Sequence, residues 1–532
     1  MFEIAFIIGI YSYLIFAIGI LGILYRNNII VVSIVYLVVV LYFFFKKKRL
    51  HNLGKIKFDK TSKFLILIIV AQVAVNFIGA LGPEISFDSL WYHLVLPKIF
   101  LLNHAISHIS GGLLYYSDMP KLTEMFYIGG LSFGSEIIAK VIHFSFGLLI
   151  LFSIYKIARK FLSKKISLVA VLIFYSSLVV GWESITAYVD LARTFFEVLA
   201  FWGILNWFEN KNRKWLIIAG IMMGLAITSK LVAVGSLLVF LALFAYKAHV
   251  KRESALLAVK NFSIFIIFSI LIPLPWFIFS FINTGNPFYP YFSSIPVDSG
   301  QSLAMPNLLF IFRDFYNLFL NLSDPISPLY LIFLPLIFVV LKKSDVKIKF
   351  FAIYTFLSII IWYLTQSARG GRFIMPYLPI FAILSAFAVE KIKDKKIEVV
   401  VIVAVVIVSL SSIFYRGLAN KKFIPVLLGK ESKSQFLTNN LNYSFGDFYD
   451  TDGYFAKTIK SSDKVLLFGF HNLYYVNFPF IDSSFIKKGD KFNYIAVQGS
   501  GIAPRFSDWK EIYYNKMTHV MLYTKEGKEW VY

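Results

Sequence analysis

Residues 64–98 read "FLILIIVAQVAVNFIGALGPEISFDSLWYHLVLPK". The first part, 64–81, is almost wholly apolar and long enough for an α-helix to cross the hydrocarbon core of a bilayer. Asp88, His93 and Lys98 follow at once, and a second stretch, "YSDMPKLTEMFY" at 116–127, adds Asp118 and Glu124. A membrane span that empties into a loop of ionisable residues sets the question for the rest of the chain.

Apolar runs like 64–81 recur almost end to end. The chain has 532 residues, 58% hydrophobic and only 16% charged, with a mean hydropathy of +0.71; a soluble chain would be nearer a quarter charged. Thirteen candidate spans emerge: 4–24, 29–45, 64–81, 136–155, 166–182, 188–207, 215–229, 231–246, 261–282, 327–341, 350–366, 373–389 and 398–415. The expected fold class is therefore an all-α polytopic membrane protein with about 13 transmembrane helices. No basic region and no small-residue cleavage site accompany the first run, so it reads as a true span rather than a signal peptide. After residue 415 the long runs stop. Residues 416–532 read as a small extracytoplasmic α/β domain, with a helix at 431–441 and buried strands at 464–470, 494–498 and 519–523. The chain has no cysteine, which excludes disulfides and thiolate metal sites.

The formal charge of +23 is a topology signal. Loops 46–63, 156–165, 209–214, 247–260, 342–349 and 390–397 carry 28 Lys and Arg, whereas the alternate loops carry 7. This positive-inside bias sets the N-terminus in the cytoplasm and the C-terminal domain outside. It also removes nucleic acid as a partner. Two outer loops, 82–135 and 283–326, exceed any plain connection and point to function on the outer face. The first holds an amphipathic stretch suited to the headgroup layer, "LWYHLVLPKIFLL". The second opens with "NTGNPFYPYF", whose Asn-Pro and Tyr-Pro steps disfavour helix.

Asp88 is placed to act as a general base on an acceptor hydroxyl or amine; "SFDSL" also fits a helix cap. "SDMPKLTEM" poses the same choice for Asp118 and Glu124. His104 and His108 have helical i, i+4 spacing, which suits a metal or a plain polar face. In "WESITAYVDLARTFFEVL", Glu183, Asp190 and Glu197 recur every seven residues, hence on one helical face, with Arg193 three after Asp190 and four before Glu197. Ionisable groups at membrane depth normally line a cavity and serve function; a local Asp190–Arg193–Glu197 pairing that fixes packing is the alternative. Lys230, at the outer tip between two short spans, suits a phosphate or snorkelling to the interface. Arg369 and Arg372 in "QSARGGRFIMPYLP" run against the positive-inside trend, and arginine favours phosphate. A carboxylate set and a cation set on one face are what a phosphate leaving group and an acceptor proton need. Neither GxxxxGK[ST] nor GxGxxG occurs, so the donor is expected to be a lipid phosphate reached from the membrane.

In the order "FDSLWYHLVLPK", "YSDMPKLTEMFY", "TAYVDLARTFF", "GLAITSK", "NTGNPFYP" and "RFIMPYLPI", over about 64–390, the sequence resembles integral-membrane glycosyltransferases of the GT-C fold. The resemblance is to the protein-mannosyltransferase and aminoarabinose-transferase group. It implies a polyprenyl-phosphate-linked sugar as donor, inversion at the anomeric carbon, and a glycan, lipid or protein acceptor. It implies Asp88 as general base or acceptor-orienting carboxylate and Asp190 as a second catalytic acid position assisting acceptor or metal binding. Asp118, Glu124, His93 and Glu183 fall in the acceptor or metal vicinity, and a divalent metal ion is an allowed cofactor. Lys230, Arg369 and Arg372 become donor-phosphate contacts. The core would run over about 64–282, after two extra spans. The family's first-loop Asp-Glu is replaced by Asp88-Ser89, so a second carboxylate comes from elsewhere, such as Asp118, or is not used. A transporter or flippase for lipid-linked sugars would use the same cations but calls for inverted halves, and none is visible. A non-catalytic scaffold or sensor leaves the acidic face of the sixth span without a purpose.

Overall fold

The structure is a computed structural model that describes residues 1–47, 58–293, 311–320, 325–342, 344–365, 370–392, 394–441, 447–525 and 530–532. A helix occupies each of the thirteen apolar segments. Among the described residues, seven helices are long and apolar enough to cross a membrane, or eight if a bent pair counts as one span. Two segments are broken. The one expected at 261–282 forms Ala255–Leu271 and Leu274–Thr284, bent by 56°, where Pro273 and Pro275 remove backbone donors. The one expected at 166–182 forms Lys164–Tyr175 and then Leu178–Glu183.

Helix Asp190–Asn210 is nearly enclosed, packed between Glu136–Ala158 and Lys214–Ser229. Lys214–Ser229 also meets Ala255–Leu271, and glycines set that approach. A Cβ on Gly220 would lie 2.6 Å from the Phe265 carbonyl oxygen, and one on Gly224 would lie 2.6 Å from Ile272 Cβ. Small residues four apart are the usual means of close helix contact in a bilayer. The N-terminal helix Phe2–Ile20 packs against Leu122–Phe133, with Ser12 donating to the Leu122 carbonyl at 2.8 Å.

Among the described residues, the C-terminal region carries seven strands: β1 (Val465–Phe468), β2 (Phe480–Asp482), β3 (Lys491–Phe492), β4 (Tyr494–Val497), β5 (Lys510–Tyr514), β6 (Met521–Thr524) and β7 (Trp530–Val531). Five form a mixed sheet in the order β2-β1-β4-β6-β5, parallel through β2, β1 and β4, and β3 pairs with β7. The helix Lys433–Asn440 opens with a capping box, Ser432 with Gln435. One apolar core runs without a break from Leu90, Val95, Leu96 and Phe100 of the first long loop into Val465, Leu467 and Leu473. The sheet region is thus seated on the loop that carries Asp88.

Candidate active site

The site starts from a rigid stem. Lys140 lies inside helix Glu136–Ala158 and donates to the carbonyls of Gly79, Gly82 and Pro83 at 3.0, 2.7 and 3.1 Å. Those carbonyls lie in the last turn of helix Lys60–Leu81 and just beyond it, where Gly79 also accepts from the Gly82 N–H at 3.3 Å and helix-end carbonyls need outside donors. Glu84 accepts from the backbone N–H of Ile85 and Ser86 with one oxygen and from that of Ala187 at 2.6 Å with the other. The start of the outer loop and the 184–189 connection are therefore held together. A π-helical turn over Ser89–His93, closed by Leu94 N–H to the Ser89 carbonyl at 3.0 Å, follows Asp88. Such turns often mark functional positions.

Asp88 does not cap that turn; its side chain makes no cap hydrogen bond. Its Oδ2 accepts from Arg372 Nη1 at 2.6 Å and from the Tyr92 hydroxyl at 3.1 Å. Arg372 stands on the short turn Gly371–Ile374, ahead of helix Leu378–Glu390. Its Nε donates to Asp190 Oδ2 at 2.9 Å and lies 3.4 Å from Glu183 Oε1. The Tyr188 ring lies 4.2 Å beneath the guanidinium, a cation–π arrangement. Lys230 donates to Asp190 Oδ1 at 2.5 Å. Asp190 is fully buried and spends one oxygen on each cation, whereas the side chains of Asp88, Arg372 and Lys230 keep 18, 12 and 17% of their surface exposed. Burial raises the Asp88 pKa, but Arg372 opposes it, helped by His93 and Lys230. The carboxyl is held below the ordinary aspartate value of 3.8.

The single acidic face expected for 183–197 is not what forms. Residues 184–189 break the chain between Leu178–Glu183 and Asp190–Asn210. His143, from helix Glu136–Ala158, fastens this break. Its Nδ1 faces the carbonyls of Glu183 and Thr186 at 3.0 and 2.9 Å, so that nitrogen bears the hydrogen, and Nε2 accepts from Leu191 N–H at 3.1 Å. Glu183 and Asp190 consequently reach one cluster from two elements. Glu197 lies further along the helix, where it accepts from Arg193 Nε at 2.8 Å and from Ser236 at 3.0 Å. The local pairing read from the sequence is thus half present: Arg193 takes Glu197 and leaves Asp190 to Lys230 and Arg372.

Three other expectations need correction. Asp118 neither caps a helix nor joins the Arg372 cluster. It accepts from Ser117 and Asn283 at 2.7 and 3.1 Å and pairs with His108 at 2.7 Å, which ties the first outer loop to the chain after Phe281. His104 and His108 share no helix: His104 has φ 55° and stacks on Tyr25. Glu124 and His93 are buried and bind each other at 2.8 Å, one layer behind Asp88. Arg369 lies outside the described residues. Lys98 also leaves the site, donating to the carbonyls of Leu473, Tyr474 and Val476 at 3.4, 2.8 and 2.5 Å. Burial pushes its pKa down to about 8. Beside it Tyr474 N–H reaches the Leu90 carbonyl, and Tyr475 donates to the Glu84 carbonyl at 2.7 Å. Sequence reading missed Glu84, Lys140 and His143. The signal for the last two was present, since each is an ionisable residue inside an apolar span.

The fold these elements build has a GT-C-like topology. A family model described as dolichyl-phosphate-mannose-protein mannosyltransferase matches residues 126–279, which include Glu183, Asp190 and Lys230 but stop short of Asp88 and Arg372. No curated protein matches the chain. Among solved structures, it is similar to ArnT from Cupriavidus metallidurans bound to undecaprenyl phosphate, at 11% identity and a TM-score of 0.60. The match covers 87% of this chain and 98% of that one. The apo state of the same ArnT gives 11% identity, the same coverage and a TM-score of 0.58.

Proposed function

We propose that the protein is a glycosyltransferase that moves a sugar from a polyprenyl-phosphate donor to an acceptor on the extracytoplasmic face, with inversion. The observation that carries this reading is Arg372 shared between Asp88 and Asp190, with Lys230 on the second oxygen of Asp190. It is supported by the fold likeness to a transferase whose structure holds undecaprenyl phosphate. Thirteen crossings, a cytoplasmic N-terminus, a catalytic membrane unit at 1–415 and an extracytoplasmic unit at 416–532 belong to the same reading.

In this mechanism the donor phosphate binds Arg372 and Lys230. Both are charged donors suited to a phosphate monoanion, and Asp190 holds them in place as a positioning residue. The acceptor O–H or N–H attacks the anomeric carbon from the side opposite the phosphate. The bond from that carbon to the phosphate oxygen breaks, and polyprenyl phosphate leaves with the electron pair under the field of the two cations. The proton passes to Asp88. Donor binding also tunes the base: once a phosphate neutralises Arg372, the largest charge that opposes burial at Asp88 is lost and its affinity for the proton rises. A divalent ion would draw on Asp88, Glu183 and Asp190, but Arg372 stands among all three and would have to be displaced. The donor set fits a metal poorly, and no step is routed through one.

The test uses purified protein in nanodiscs with a panel of polyprenyl-phosphate sugars and cell-envelope extract, read by mass spectrometry of the lipid. Wild type should convert one donor to free polyprenyl phosphate, and Asp88→Asn should not. Donor binding without cleavage in every case would overturn the reading.

A further inference from the structure

Beside Asp88 the first outer loop builds a wall of aromatic side chains that the mechanism above does not use. Tyr92, which donates to Asp88, stacks on Tyr116 at 4.1 Å, and Tyr116 lies 4.0 Å from Tyr115 with their hydroxyls 2.5 Å apart. Trp91 sets its edge toward Tyr116 at 5.4 Å and is fixed by its indole N–H to the Leu113 carbonyl at 3.0 Å. A fourth phenol comes from the second outer loop. Tyr291 is 47% exposed, and Asn286 holds its backbone carbonyl at 2.5 Å. Burial first, and then the neighbouring phenols and Asp88, raise the pKa of Tyr115 and Tyr116, so these groups stay hydroxyls.

The C-terminal region closes the far side. His471 lies 6.2 Å from Phe87 and 6.3 Å from Trp91, ring centre to ring centre. It stands in the loop after β1, whose neighbours β2 and β4 lie on opposite sides. That loop therefore leaves the sheet at its switch point, where open α/β sheets take ligands. Phe87, Trp91, Tyr92, Tyr115, Tyr116 and His471 are all partly exposed. Aromatic residues of an interfacial belt would need neither a carboxylate among them nor a partner from a second region.

We infer that this wall is the acceptor subsite and that the acceptor is a glycan; the inference rests on the transferase reading above. A sugar ring offers a face of C–H bonds framed by hydroxyls. Indole and phenol rings match the first, and phenol hydroxyls and an imidazole match the second. An extended polypeptide would be recognised through backbone N–H and C=O groups, whereas this wall offers ring faces and side-chain hydroxyls. The acceptor hydroxyl then projects toward Asp88, one hydrogen bond beyond Tyr92.

The experiment has two arms on the full chain in nanodiscs. Calorimetric titration compares neutral, uronic-acid and amino-sugar oligosaccharides with Ser/Thr peptides; transfer kinetics then use the cleaved donor with each acceptor. One oligosaccharide class should bind and accept sugar. Tyr115→Phe and Tyr116→Phe keep the rings and should each raise the acceptor KM and Kd about tenfold, with donor KM unchanged, and His471→Ala should act likewise. Transfer onto peptide, or acceptor KM indifferent to both Tyr→Phe changes, overturns the glycan subsite while the transferase reading stands. Absence of any donor cleavage overturns the transferase reading instead, and the titration then judges the subsite alone.

Discussion

Two arginine–carboxylate clusters each draw a carboxylate from helix Asp190–Asn210, and their difference separates site from scaffold. In the inner one Arg193 pairs with Glu197 at 2.8 Å, and Ser236 and Tyr377 complete it at 3.0 and 3.2 Å. One positive charge meets one negative charge, and Arg193 and Glu197 are buried. In the outer one Arg372 serves Asp88, Asp190 and Glu183 while Asp190 also holds Lys230, and three of these side chains reach the surface. A closed, neutral network holds helices together. An open one with shared partners can exchange a carboxylate for an incoming phosphate without losing its shape.

The sharpest way to break this comparison is to treat both arginines alike. Arg372→Met removes the donor-phosphate contact and should lower transfer by about a thousandfold, and Arg372→Lys should recover little, because a point charge cannot bridge two carboxylates. Asp88→Asn should cost about 10²–10⁴-fold in kcat with donor binding retained. Glu197→Gln should do the reverse. It leaves Arg193 without its charge partner, at about 3–5 kcal/mol of stability, seen as a lower unfolding temperature, while transfer per folded molecule stays within a fewfold. Equal loss of transfer in Arg372→Met and Glu197→Gln would erase the distinction.

Acidity sharpens the same contrast. Asp88 is held below its ordinary pKa by Arg372. Its folded pKa is depressed, so the stability it contributes is present above the unfolded value of 3.8 and is lost as pH falls through the folded one. In the free enzyme the acid limb of kcat/KM due to Asp88 should therefore lie below pH 3.8, and Arg372→Met should move it upward. A limb at neutral pH in wild type would assign the base to another group.

The sequence made the outer cluster legible because charge at membrane depth is rare enough to stand out. Asp88, Asp190, Lys230 and Arg372 were all visible on that ground, although 284 residues separate the first from the last. What stayed hidden was connection. Seven-residue spacing gave Glu183, Asp190 and Glu197 one face only for an unbroken helix, and the break at 184–189 depends on His143 and Glu84, which lie 40 and 103 residues from their partners. Asp118 read as a cap or as part of the acceptor or metal vicinity because nothing in the local pattern ties it to His108, ten residues away, or to Asn283, 165 residues away. The strands β1, β4 and β6 were readable as apolar runs; β5, "KEIYY", has no buried position and carries no such run.

The smallest effect tests whether the C-terminal region belongs to the machinery at all. Lys98 binds three carbonyls of 473–476, and Tyr475 reaches the carbonyl of Glu84, four residues from Asp88. If this clasp positions the catalytic loop, Tyr475→Phe should lose about 1 kcal/mol of stability and lower kcat a fewfold, with donor KM unchanged. Lys98→Met strips three carbonyls of their donor and should act in the same direction and more strongly. Hydrogen exchange at Leu90 and Tyr474 should rise in both variants. Unchanged kcat alongside faster exchange would mean that the sheet region rides on the loop without setting its geometry, and that Glu84 and Lys140 suffice to hold Asp88 against Arg372.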